Sequence, residues 1–325
     1  MRWLLFVLVV ALFAACPGPS PVDCRVGADC VSGVCLGDGT CEPARSGADA
    51  GTDGGDLPGT DGGPVTADAG HDAGTNDAGV DAGSPVGCLP NHDGTILRSE
   101  VAFQAGLRAT FRISGTATFD TAGAASADGG RSWDFTAMLA GDTSRLVETK
   151  PVQGEWYESE FPDAGYVSEL GQGSNLLGVF STTDDGLYLQ GVVSPSDGVT
   201  STRLRYQPWV KVLQFPLAPA ASWETNTTVS GRYNGLVIGF NLPFQTERYQ
   251  MAVDRSGDAK TPFATFPSLR VRTIMTRSLN TVPTLTVRSF SWNTECFGTI
   301  ATVTSTDNES STEFTDVAEA RRLSP

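Results

Sequence analysis

Histidine is almost missing from this chain: 325 residues hold only His71 and His92. A Ser-His-Asp triad in the folded part would have to use His92, which sits in a polar Pro-Asn-His-Asp-Gly loop. No Gly-x-Ser-x-Gly elbow occurs. A catalytic zinc site draws on two or three histidines or free cysteines, and no pair of cysteines has the C-x₂-C spacing of a zinc ribbon, so neither a metal nor a cofactor is expected. Basic residues are also scarce. Lys and Arg number 22 against 37 Asp and Glu, for a net charge of -15, which excludes nucleic acid as a partner. After residue 15 no apolar run is long enough to cross a bilayer, and no amphipathic stretch of ten residues has helical period.

What is present begins with an address. Met1-Arg2 is followed by thirteen apolar residues, 3–15, then Cys16 and a Pro-Gly-Pro-Ser-Pro segment. That is the layout of a secretory signal over residues 1–15, too short to span a hydrocarbon core of ~30 Å. With Ala14-Ala15-Cys16 at its end, it resembles a bacterial lipoprotein signal. Phe13 stands where that family prefers leucine, and Leu12 lies one place further back. The resemblance implies lipidation of Cys16 and a membrane partner reached through several acyl chains; one chain alone would bind only reversibly. Pro17 rather than Asp after the cysteine implies outer-membrane retention, on the periplasmic or cell-surface face. The alternative is an ordinary cleaved signal with a spare cysteine.

Residues 16–23 start a tether. Cys24, Cys30, Cys35 and Cys41 follow within residues 24–41, among Gly, Asp, Ser and Val. So short a piece has no core, so two disulfides are expected to order it, in any of three pairings. Its Asp29-Cys30-x-Ser32-Gly33-x-Cys35 and Gly39-x-Cys41 segments resemble the small cysteine repeats of secreted and myxobacterial lipoproteins, which act as spacers or recognition knobs. Residues 46–87 are different again: eight Asp, no Lys or Arg, no aromatics. This composition cannot offset chain entropy, and a disordered acidic linker with an r.m.s. span of roughly 35 Å is expected. Its Asp-Ala-Gly repeats have neither the closing glutamate of an EF-hand nor a fixed period, so a calcium site is not expected.

Residues 88–325 read as an antiparallel β domain. Twelve of the 37 acids and three of the 22 bases precede residue 88, which leaves the domain at -6. Apolar and polar residues alternate over 107–119, with Gly115 as a bend. Asp128-Gly129 and Asp185-Gly186 are hairpin signals. Trp133, Phe135, Ala137 and Leu139 share one parity, and Leu269 and Val271 alternate with Arg270 and Arg272. Residues 285–287 open another strand, 296–304 read as a late strand, and 316–322 as a short terminal turn. The fold class is mainly β: a large antiparallel twisted sheet or half-open barrel. Cys88 and Cys296 remain to pair, closing a loop of about 200 residues. The segments Asp185-Gly186-Leu187-Tyr188-Leu189, Phe215-Pro216-Leu217 with Trp223, and Leu269-Arg270-Val271 resemble a group of secreted bacterial proteins. That resemblance implies a curved antiparallel sheet over an apolar interior and supplies no activity.

Carboxylates are the remaining acid–base candidates. Glu155, Glu158 and Glu160 cluster around Trp156 and Tyr157, an arrangement a glycosidase could use, although Glu158 and Glu160 also share one strand parity. Trp156, Trp209, Trp223 and Trp292 read as core or rim packing before sugar platform. Gly171-Gln172-Gly173-Ser174-Asn175 has no Lys-Ser/Thr after it and is not a phosphate loop. The expectation is a non-catalytic β-domain that binds a hydrophobic ligand, a glycan or an envelope protein. The alternatives are a carboxylate-dependent hydrolase of envelope polysaccharide and a purely structural envelope component. An apolar cavity above ~300 Å³ would favour ligand carriage.

Overall fold

The computed structural model describes residues 88–126, 130–171, 175–238 and 245–325. Cys16, Cys24, Cys30, Cys35 and Cys41, the acidic linker, the Asp128-Gly129 turn and residues 172–174 lie outside them. The described residues form sixteen strands and no α-helix. In chain order they are β1 (Arg108–Ser114), β2 (Ala117–Thr118), β3 (Ala124–Ala125), β4 (Arg131–Asp134), β5 (Thr143–Glu148), β6 (Tyr166–Glu169), β7 (Leu177–Thr183) and β8 (Gly186–Val193). Then follow β9 (Arg203–Gln214), β10 (Ser222–Tyr233), β11 (Leu236–Ile238), β12 (Gln245–Lys260), β13 (Thr265–Leu279), β14 (Val282–Thr294), β15 (Gly298–Ser305) and β16 (Asp316–Ser324).

One antiparallel sheet runs β5-β1-β16-β15-β14-β13-β12-β10-β9-β8-β7-β6. Its two edges nearly meet. Lys150 and Val167 exchange backbone hydrogen bonds of 2.9 and 2.8 Å, and Arg145 pairs with Glu169 at 3.0 Å. The result is barrel-like, which limits the exposed edge that a long open sheet would carry.

Alternation sorts side chains onto two faces. Along β12, Gln245, Glu247, Met251 and Val253 are buried while Thr246, Arg248 and Gln250 are exposed. Met251, Val253, Leu269 and Val271 join Leu189, Val210 and Phe215 in the largest core, which residues 96–105 help to cover through Ile96, Val101 and Phe103. The segment 117–142 covers part of the other face. Phe119, Trp133 and Phe135 pack there on Phe290 and Trp292, with Trp292 at 4.8 Å from Phe135 and 5.5 Å from Trp133. This cover requires Gly257: a Cβ there would lie 2.0 Å from the Arg131 carbonyl of β4, which pairs in parallel with the end of β12.

Several expectations need correction. Residues 316–322 are a strand, β16, paired with both β15 and β1, not a terminal turn. The β7–β8 hairpin turns on Asp184-Asp185, and Gly186 is already paired with Thr183. The late strand begins at Gly298, because Cys296 sits in the preceding turn with φ of 67°. Arg270, which alternates with Leu269 and Val271, is itself fully buried. A bulge between Val253 and Arg255 inserts Asp254 opposite it, so two consecutive β12 residues can reach toward one β13 position. Arg270 donates to Asp254 through Nε (2.9 Å) and Nη2 (2.8 Å), to Glu313 through Nη1 (3.0 Å) and Nη2 (2.7 Å), and to the Thr121 carbonyl. Its guanidinium lies 4.0 Å from the Phe290 ring centroid.

Candidate functional site

Two turns meet at the end of the sheet where the chain enters the domain. In the β12–β13 turn, Thr261 Oγ1 accepts the N–H groups of Phe263 and Ala264, both at 3.2 Å, and this tight closure turns Phe263 outward. In the β14–β15 turn the Phe297 N–H donates to the Glu295 carbonyl at 2.8 Å. Cys296, between them, is disulfide-bonded to Cys88, with Cα atoms 5.4 Å apart and 208 positions between them in sequence. The entry point of the domain is therefore fixed to this turn. Phe263 and Phe297 are 49% and 52% exposed, yet they are clustered: Phe266 lies 6.3 Å from Phe263 and 5.0 Å from Phe297. Isolated exposed apolar residues are ordinary; two exposed phenyl rings 5.9 Å apart, both packed on the buried Phe266, form a patch.

Beside the patch lies a cleft of about 160 Å³. Ile96, Pro267 and Leu269 give it apolar walls; His92, Asp258 and Glu295 supply the polar groups. Pro267 and Phe266 are neighbours on β13, so the cleft and the phenyl patch occupy opposite faces of the same strand ends. The loop bearing His92 is built by carboxylate caps. Asp93 accepts the Thr95 N–H at 2.7 Å, and Glu100 accepts the Leu97 N–H at 2.8 Å and the Asn91 side-chain amide at 2.7 Å. This order brings the His92 N–H to Glu295 Oε2 at 3.2 Å. Glu295 is 9% exposed, and among the described residues no cation pairs with it.

A second cavity, about 440 Å³, is shallow and mixed in character, with Trp223, Met251 and Ile274 set against Glu224, Gln250 and Arg272. Its Glu224 is paired with Arg248 at 2.7 Å. The apolar cleft falls below the volume of a small-molecule pocket, and the larger groove is not apolar.

The remaining candidates from sequence lie elsewhere. His92 is exposed at the mouth of the cleft. Glu158 accepts the Gly154 N–H at 2.9 Å, and Glu160 is held by Arg203 at 2.8 Å and by Arg205. Trp156 donates to the Ser194 carbonyl and Trp223 to the Lys211 carbonyl, while Trp292 is fully buried. Trp209 packs edge-on to Tyr188 at 6.4 Å. Next to it, hydrogen bonds from Lys211, Thr183 and Tyr188 hold the Asp185 carboxyl well below the usual range. Among the described residues no three His, Cys, Asp or Glu side chains are grouped as metal ligands. The sequence reading missed Phe263, Phe297 and Glu295. A phenylalanine directly after Pro262 in a turn, and another directly after a cysteine, were the available signals.

No protein-family model matches the chain, and no curated protein matches it. Two solved structures are similar. One is a Bacteroides fragilis protein described as exported and as having a YmcC-like fold, at 13% identity and a TM-score of 0.24, over 68% of this chain and 96% of that one. The other is a Parabacteroides distasonis protein described as a lipoprotein, at 11% identity and a TM-score of 0.21, over 68% of this chain and 95% of that one.

Proposed function

We propose that this chain is an exported, lipid-anchored protein of the cell envelope, and that its β-domain is a non-catalytic module that docks a partner protein at the end of the sheet where the chain enters. Cys16 carries the anchor, and Pro17 supports the outer membrane as its location. The carrying observation is the exposed, grouped Phe263 and Phe297, the first on a turn closed by Thr261 and the second on the turn held by the Cys88–Cys296 bond. Aromatic side chains on a rigid support make good anchors, because little entropy is lost when they are covered. The arginine pairing of Glu160 supports a non-catalytic reading, since a general acid or nucleophile has to be free to exchange its proton or attack.

A photo-crosslinking phenylalanine analogue at position 297, in cells, tests the docking site against the same analogue at Val199, which is 90% exposed at a distance from the patch in sequence. A discrete heavier adduct from position 297 alone, lost when Phe263 is replaced by Ser, is expected. Identical patterns from both positions would reject the site. Intact mass of the wild type against Cys16→Ala reads the anchor; unmodified wild-type protein free in the medium would reject it.

The mixed groove supports a second reading, a glycan laid against Trp223, Glu224, Gln250 and Arg272. Loss of polysaccharide retention in Arg272→Ala, with docking at position 297 unchanged, would favour it.

A further inference from the structure

Buried charge in this domain follows a rule with one exception. Four charged residues are buried among the described residues: Glu247, Arg270, Glu295 and Arg322. Glu247 is paired with Arg277 at 2.8 Å and also accepts the Tyr249 hydroxyl at 2.6 Å. Arg270 is held by Asp254 and Glu313, and Arg322 by Asp142. Only Glu295 has no oppositely charged partner; it accepts one backbone N–H, from His92. A carboxylate nine-tenths out of water is unfavourable unless a cation compensates it, and here the described residues supply none.

The site around it is shaped for something small. The cleft holds about 160 Å³, room for one side chain and too little for an acyl chain or a sugar ring system. Its walls, Ile96, Pro267 and Leu269, suit a methylene stem, and among its other polar lining groups, which include His92, Ser256 and Asn293, Asp258 is a second anion. An apolar sleeve ending in a carboxylate matches the anatomy of lysine and arginine, whose stems bury readily while the charged head seeks a partner. We propose that the cleft receives one lysine or arginine side chain of the docked protein, with Glu295 as its counter-ion. This rests on the docking reading above and names the chemistry the partner must present: a basic side chain beside an apolar surface that meets Phe263 and Phe297 across the strand ends.

The probes are n-butylammonium and n-butylguanidinium, which carry the stem and head without a peptide. The neutral control is butyramide at matched ionic strength. Amide spectra of the full processed chain, isotopically labelled, report on His92 and Glu295. Saturable shifts at both amides with the two cations, absent with butyramide and weakened about tenfold in Glu295→Gln, are expected, and tenfold corresponds to about 1.4 kcal/mol. Equal shifts with butyramide, or cation binding unchanged in Glu295→Gln, would overturn the proposal; so would silent amides throughout. Cation binding together with an empty crosslink at position 297 would sustain the cleft and reject only the docking surface.

Discussion

Arg270, in a strand, and Glu295, in the turn just past the neighbouring strand, are two buried charges that the chain treats in opposite ways. Arg270, on β13, is enclosed on the aromatic face: two carboxylates, a carbonyl and the Phe290 ring satisfy it from all sides. Glu295, just past β14, lies at the cleft on the other face with one backbone N–H. The first arrangement is a closed network, and a closed network fixes structure: it ties the bulge of β12 to β13 and to Glu313 in the segment before β16. The second is half of a network, and it leaves a place for something from outside. Burial alone therefore does not separate structural charge from recognition charge; compensation does.

Removing the centre of the closed network should have the largest effect. Arg270→Met leaves Asp254 and Glu313 without their cation, and breaking such a pair from one side destabilises by about 3–5 kcal/mol. Thermal or urea unfolding should show this loss, and an unchanged midpoint would refute the pinning role. Next is the covalent tie at the entry. Cys88→Ser with Cys296→Ser releases a loop of 208 positions, for which the chain-entropy model gives a ceiling of ~5 kcal/mol and practice about 2–4. Unfolding with and without reductant reads it directly: the wild type should fall to the level of the double variant, and the double variant should not respond.

The β architecture was legible because alternation survives wherever one face is dry, as at Trp133 and Phe135, buried on either side of exposed Asp134. Alternation alone does not announce that Arg270 is buried, for a local reason. A single inserted residue, Asp254, gives a buried arginine its partners, and nothing in the Leu-Arg-Val pattern signals a bulge on the neighbouring strand. The sequence misled at β16, where Ala, Glu and Arg favour helical turns by intrinsic propensity, but two flanking strands supply ladders that outweigh it. The site was less legible than the fold. Glu295 beside a cysteine looks like any polar turn residue; that no cation reaches it is a fact about residues far apart in sequence. Phe263 went unread and Phe297 fell within the expected late strand; their grouping required the register of β12 to β15.

Acid should weaken the closed network in a predictable direction. Burial alone would raise the Glu313 carboxyl, but hydrogen bonds and charge from Arg270, with Thr121 and Arg255, outweigh it and hold it below its ordinary value. A carboxyl lowered in the folded state contributes stability above the unfolded value of about 4.3, and that contribution is lost as pH falls through the lower folded value. Partial exposure of Glu313 screens the effect, so it should be smaller than the loss in Arg270→Met. Melting temperature followed from pH 6 to 3 should fall more steeply in the wild type than in Glu313→Gln. Parallel curves would show that this carboxylate contributes no acid-labile stability.

The smallest expected effect has the opposite sign. Glu295→Gln keeps an acceptor for the His92 N–H and removes a charge that no cation among the described residues compensates. Neutralising an unpaired buried charge should stabilise the isolated protein, by about 1 kcal/mol, as substitutions at binding sites often do. The same exchange at Glu247 removes the partner of Arg277 and should destabilise. Unfolding midpoints of the two variants, measured side by side without any ligand, therefore diverge if compensation is what distinguishes the two glutamates. If Glu295→Gln falls as Glu247→Gln does, the cleft carboxylate is part of the fold and the contrast with Arg270 fails.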